Sequence, residues 1–273
     1  MSEQPRGLVP SAGWSVVHLF YRIDRARWRS LATTERNAAI EEFAHWLDAR
    51  CKEEGSQLVP FAGVTKSDVG FMAVHADLWR VQQLTQEIPA TAFGAHLQPV
   101  FSFLSMTEAS EYITNEVDWA KLLIDEQKLD PASPEFATRI AQLRKRTATY
   151  AASRIHPQLP DNYPIVCFYP MAKARRDQDN WYRLSFDQRK QYMIAHGNAG
   201  RRYADRVTQL ITTCTGIDDW EWGVTLFSRD LKAIRDIVYE LRYDAASAIY
   251  GLFGSFYIGI RFQPEQLATV LKL

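Results

Sequence analysis

The stretch "VCFYPMAKARR", residues 166–176, brings a phenol, a thioether and three cations together at Tyr169, Met171, Lys173, Arg175 and Arg176. Such groups suit redox chemistry and the binding of an anion. A tyrosine at a strand end followed by a solvated basic turn would use the same residues. Pro170 lacks the N–H that a strand ladder needs, so the strand is expected to end there or to reach an edge. A second candidate is His196, in "QYMIAHGNAGRRYA", with Tyr192, Ala199 and Tyr203 at helical distances and Gly197 and Gly200 beside it. An imidazole among such small neighbours could ligate the iron of a flat macrocycle brought close to the helix. A hydrogen-bonded histidine on a helix, with glycines near a bend, fits the same residues. In "TGIDDWEWGVTLF", alternation puts Trp220 and Trp222 on one strand face with Glu221 opposite, which points first to core packing. His18 and His75 have no partner set in the sequence and read as packing or surface residues.

The composition around these candidates is that of a folded, soluble protein. Hydrophobic residues make up 47% and charged residues 23% of 273, enough for one large or two ordinary cores. Formal net charge is zero, which argues against a nucleic-acid binder. Residues 171–206 nonetheless hold nine Lys/Arg against four Asp, a local excess that suits a small anionic ligand. The first residues lack the apolar segment of a signal peptide, and no apolar run reaches membrane-spanning length. Cys51, Cys167 and Cys214 are scattered and odd in number, as expected of reduced thiols in a cytoplasmic protein.

The order of elements repeats. "WSVVHLFYRI" (14–23) and "YPIVCFY" (163–169) read as strands, each followed by a long helical stretch, the second capped by Ser185 with Gln188. Gly70, Asp77, Leu78, Glu87 and Ile88 recur as Gly223, Asp230, Leu231, Glu240 and Leu241 at one constant offset. Each half therefore predicts strand, helix, strand, strand, helix, strand, an α+β class built of duplicated ferredoxin-like units that fuse their sheets. The expected divisions are a tail over 1–13, a first unit over 14–114, a helical linker over 115–162 broken at Pro131 and Pro134, and a second unit over 163–273.

The second half resembles the coproheme decarboxylases of the chlorite dismutase superfamily. The resemblance runs from about 163 to 262 through "CFYPMAK", "NWY", "HGNAGRRYA", "TQLIT", "GIDDWEWGVTLF", "VYELRYDAASAIY" and "FGSFYIGI". It is weaker in the first half, clearest at "FSFLSMTEASEY" (101–112). The resemblance implies a dimeric α+β barrel within one chain and a homopentamer of such chains. It implies iron coproporphyrin III as substrate and redox centre, hydrogen peroxide as oxidant, haem b as product, and a transient contact with the coproporphyrin ferrochelatase. His196 matches the iron ligand, and Tyr169 the tyrosine that carries the oxidising equivalent to a propionate. Lys173 matches the lysine at the second reacting propionate, Met171 the methionine lying against the macrocycle, and Gln209 the glutamine on its distal side. Arg242 and Ser247 match further propionate contacts. Arg154, in "RIHP", matches another, although His156 stands where the family has tyrosine. Two other readings use the same scaffold: a non-catalytic haem carrier or sensor, and a haem b peroxidase or chlorite-decomposing enzyme. The neutral Gln209 weighs against chlorite, because chlorite-decomposing relatives place an arginine there.

Overall fold

The computed structural model describes residues 7–273. The first six residues of the expected tail lie outside the described residues. The rest of the tail is tied down, with the Leu8 N–H donating to Asp77 and the Leu78 N–H to the Leu8 carbonyl. The first half runs β1 (Ser15–Ile23), α1 (Arg25–Arg29), α2 (Thr33–Cys51), β2 (Ser56–Gly63), β3 (Val69–His75), α3 (Leu78–Ala90) and β4 (Leu97–Thr107). Two helices follow, α4 (Glu116–Asp125) and α5 (Pro134–Ile155), the second opening on Pro134 behind the Ser133 cap. The second half runs β5 (Ile165–Lys173), α6 (Phe186–Arg201), β6 (Val207–Thr213), β7 (Trp222–Ser228), α7 (Leu231–Leu241), α8 (Ala245–Ala248), β8 (Gly251–Phe253), β9 (Tyr257–Arg261) and α9 (Leu267–Leu271). Among the described residues no helix is long and apolar enough to cross a membrane.

The fold is α+β around one antiparallel sheet. Strand pairing runs β7-β6-β4-β1-β3-β2-β9-β5, and β5 pairs back onto β7, so eight strands close a ring. The order β4-β1-β3-β2 in the first half matches β9-β5-β7-β6 in the second. The halves meet at two short joints, Met106–Thr107 against Thr212–Thr213 and Phe61–Gly63 against Gly259–Arg261. Side chains fill the ring, among them Val16, Phe20, Phe61, Met72, Phe103, Phe168 and Phe227. The repeated glycines belong to this packing: a Cβ on Gly70 would enter the Phe61 ring, and one on Gly223 the Phe103 ring. Repetition extends to the helix starts, where Asp77 and Asp230 each accept from the N–H two residues on. Glu87 and Glu240 then tie the helix pairs together, one holding Trp46 and Arg80, the other Tyr203 and Arg202.

Two expectations need correction here. β5 does not stop at Pro170; it continues to Lys173, with Pro170 opposite Gly223 of β7. Proline is tolerated because β5 changes neighbours there, from β9 over Ile165–Phe168 to β8 over Met171–Lys173. Trp220 and Trp222 also do not share a strand face. β7 begins at Trp222, and Trp220 packs with the interior cluster.

His18 is fully buried inside the ring, stacked 4.1 Å from Phe168, with Nε2 2.8 Å from Thr225 Oγ1. Burial lowers its pKa from 6.5 to about 3, so the folded protein keeps it neutral. This contribution to stability is complete above the unfolded pKa and is lost as pH falls from 6.5 towards the folded value. Urea unfolding is expected to weaken by up to about 1.4 kcal/mol per pH unit across that window. His18→Phe should remove this slope, and an unchanged slope would refute the assignment.

Candidate functional site

The two halves treat their long helices differently. α2 and α6 begin at the same offset that relates Gly70 to Gly223, and α2 seats Ala39, Phe43 and Leu47 on its sheet, all buried. The corresponding positions in α6 are Tyr192, His196 and Gly200, and only Gly200 is buried. α6 leans mainly on α7 and α8 rather than on the strands. Burying a Phe or Leu yields roughly 1.5–3 kcal/mol each. The second half forgoes that at this helix face and puts an imidazole and a glycine there instead. At the position of Leu47 the small Gly200 lets Gln209 Nε2 come within 3.3 Å of where a Cβ would stand.

The strand floor supplies the other groups. Along β5, Val166 and Phe168 point into the ring, whereas Cys167, Tyr169 and Met171 face the helices. Lys173 continues that alternation. Tyr169 is 5% exposed, stacked 4.3 Å from Phe256 and 6.0 Å from Phe253. Burial, reinforced by Cys167 and opposed by the Arg242 cation, pushes its phenol well above the ordinary range, so it stays protonated. The Arg242 guanidinium lies 3.8 Å over the Phe253 ring. Met171 is half-buried beside them.

Lys173 is 5% exposed. Its Nζ donates to the Ala246 carbonyl at 2.8 Å and sits 4.4 Å from the Trp181 ring centroid. Burial lowers its pKa to about 8, against the opposing pull of Asp244 and Glu221. The amine can therefore hold an anion as a cation and still exchange a proton near neutral pH.

Asp244 joins these groups. It caps α8, accepting the Ser247 N–H, and its Oδ2 lies 3.0 Å from His196 Nδ1. Burial works to raise its pKa, but His196 and Ser247 outweigh this and hold the carboxyl below its usual range. With Nδ1–H turned to the carboxylate, His196 Nε2 is left as a lone-pair donor, and its side chain remains 25% exposed. Among the described residues no cluster of three His, Cys, Asp or Glu side chains could hold a metal ion.

Arg154 reaches from α5 to the Ile211 carbonyl of β6 at 2.9 Å. Among the described residues its Nε is buried without a partner, and burial lowers its pKa. A buried guanidinium lacking an acid is costly unless an anion joins it. Ser247 is 5% exposed. His156 instead packs against Trp14, ring centroids 5.0 Å apart.

The anticipated basic cluster does not converge on this site. Arg176 pairs with Asp179, Lys190 with Asp118, Arg202 with Glu240 and Arg206 with Asp205, so these charges serve the surface and the helix pairs. Asp244 went unnoticed in the sequence; its one signal was the Asp-x-x-Ser spacing of a helix cap just after Arg242. Alternation places Glu221 on the far face of a tryptophan pair, yet its Oε2 accepts the Lys173 N–H at 2.7 Å.

Comparison with known proteins bears on the chain as a whole. The family profile described as Chlorite dismutase matches residues 36–262. A protein of Natronomonas pharaonis named as haem-binding is 35% identical over 98% of this chain and 42% of its own length. The chain spans less than half the length of the curated relatives it matches. Among solved structures, a haem-binding protein from Thermus thermophilus is 34% identical, with a TM-score of 0.78 over 98% of this chain and 100% of that one. The chlorite dismutase of Candidatus Nitrospira defluvii shares the fold, with 15% identity and a TM-score of 0.70 over 96% of this chain and 95% of that one.

Proposed function

The chain belongs to the chlorite dismutase family, and from that premise we propose that it is a coproheme decarboxylase. It binds iron coproporphyrin III and uses hydrogen peroxide to turn two propionates into vinyl groups, giving haem b through a monovinyl porphyrin. For each propionic acid group, one peroxide is consumed and one carbon dioxide and two waters are released. The observation that carries this reading is the pairing, on one face of β5, of a buried protonated phenol with a buried ammonium, beneath a carboxylate-anchored imidazole. A carrier needs the imidazole and a pocket, not the phenol and the amine.

The residues fit an iron porphyrin. The apolar cluster of β5 with Phe253 and Phe256 suits a flat apolar body, and the Arg154 Nε, without a partner among the described residues, suits a carboxylate on its rim. When bound, the iron porphyrin supplies one-electron oxidation by peroxide. His196 would hold the iron through Nε2, with Asp244 keeping the Nδ1 proton in place. Of the two oxidising equivalents that one peroxide supplies, the first would remove the hydroxyl hydrogen of Tyr169, which regains one from the propionate β-carbon. The second would take the electron released as the carboxylate leaves as carbon dioxide and the vinyl group forms. Lys173 holds the second carboxylate, with Arg154, Arg242 and Ser247 on the others. Met171 would pack against the porphyrin, and Gln209 would offer it a neutral amide.

The matching strand orders of the two halves support a duplicated ferredoxin-like unit closed into a dimeric α+β barrel. Assembly as a homopentamer, a cytoplasmic location and transient contact with a coproporphyrin ferrochelatase complete the proposal. The test is to load the haem-free protein with iron coproporphyrin III, titrate with peroxide and follow the porphyrin by mass spectrometry. Two successive losses of a carboxyl group support the reading. Tight binding with an unchanged or bleached porphyrin would leave a carrier, as the names of the relatives suggest for those proteins. Because Gln209 carries no charge to retain an oxyanion, chlorite is expected to release no burst of oxygen from the haem-loaded protein. Rapid oxygen evolution would overturn that assignment.

A further inference from the structure

β5 outlasts its partner strand. The β5–β7 ladder ends at Met171 opposite Trp222, and Lys173 lies two residues further on. Residues two apart on a strand direct their N–H and C=O to the same side. The Met171 carbonyl is turned towards the β7 side, where it accepts the Glu221 N–H at 3.1 Å. The Lys173 N–H points the same way, past the last strand residue that could accept it. Glu221 supplies that acceptor from its side chain, Oε2 to Lys173 N at 2.7 Å, and is itself 6% exposed. One residue thus clamps the end of β5 through both its backbone and its carboxylate.

The other surroundings of Lys173 come from different elements. The Ala246 carbonyl of α8 accepts from Nζ, the Trp181 ring stands against it, and Asp244 at the α8 cap and Glu221 are the charged groups facing it. Nζ spends one of its three donors on Ala246, leaving two for an incoming carboxylate. Those two can be aimed only if the backbone at Lys173 is held, because its strand has already run out of partners on one side.

We propose that Glu221 is the positioning residue of Lys173, its carboxylate completing the ladder that β7 leaves unfinished and so aiming the ammonium at a substrate carboxylate. This rests on the decarboxylase reading for the identity of that carboxylate, but not for the geometry. Glu221→Gln keeps an acceptor oxygen at the same reach, whereas Glu221→Met fills the space without one.

Two measurements test the proposal. In the haem-free protein, amide hydrogen exchange at Lys173 should be slow in the wild type and in Glu221→Gln, and at least about tenfold faster in Glu221→Met. A freely exchanging Lys173 amide in the wild type would sink the proposal without any variant. With iron coproporphyrin III and peroxide, Glu221→Met should accumulate the monovinyl porphyrin, the outcome expected of Lys173→Ala as well, while Glu221→Gln runs on to haem b. Equal amide protection in all three proteins, or full conversion by a folded Glu221→Met, overturns it. If the wild type leaves the porphyrin intact, the functional reading fails, and amide exchange alone decides whether Glu221 holds Lys173.

Discussion

Tyr169→Phe is expected to bind iron coproporphyrin III as tightly as the wild type and to convert it at least about a hundredfold more slowly, the scale on which a positioned proton-transfer group contributes. The ring is kept, and with it the stacking 4.3 Å from Phe256 and the fill of a position 5% exposed, so thermal stability should hardly move. Only the hydroxyl hydrogen is lost. Burial keeps that phenol protonated across the physiological range, which is the state needed to release an electron and a proton together. Peroxide titration followed by mass spectrometry reads the effect directly. Conversion at the wild-type rate would remove Tyr169 from the reaction and leave its burial as simple packing.

His196→Ala should abolish the imidazole-ligated absorption spectrum of the loaded protein together with turnover. Asp244→Asn should leave the imidazole in place but weaken its donation, costing roughly 10–100-fold in affinity or rate, as loss of a carboxylate behind a metal-bound histidine does. Asn can still cap α8 and still accept from Nδ1–H at the 3.0 Å separation, so the fold is spared and the change is electronic. The iron–histidine stretching frequency, read by resonance Raman, should fall in the Asn variant. An unchanged frequency would mean that Asp244 serves the helix cap and not the ligand.

Much of the architecture was legible because it follows from local rules. Helix and strand periods set the elements, and repeated Gly, Asp, Leu and Glu positions set the order in each half. His196, Tyr169 and Lys173 are residue types able to do such chemistry, but each also fits a structural role, and their assignment rests on the family resemblance. What stayed hidden was long-range. Nothing local shows that Asp244 would reach a histidine 48 residues earlier, or that Glu221 would finish the strand of Lys173. The run of cations misled for the same reason, since surface acids distant in sequence claim Lys190 and Arg202.

The chain by itself thus determined the α+β class, the repeated order of elements and the residue types available for chemistry. Tertiary structure alone decided which of those residues meet. α2 and α6 begin at matching positions, yet Phe43 and Leu47 are driven into a core while His196, at the position of Phe43, stays partly exposed and Gly200 replaces Leu47. Burial of apolar surface seals the first half. In the second, the side chains that would have sealed it are absent, and buried polar groups gain partners only through closure of the sheet and docking of α8 against α6 and Lys173. Such partnerships depend on distances across the fold, which no spacing along the chain encodes.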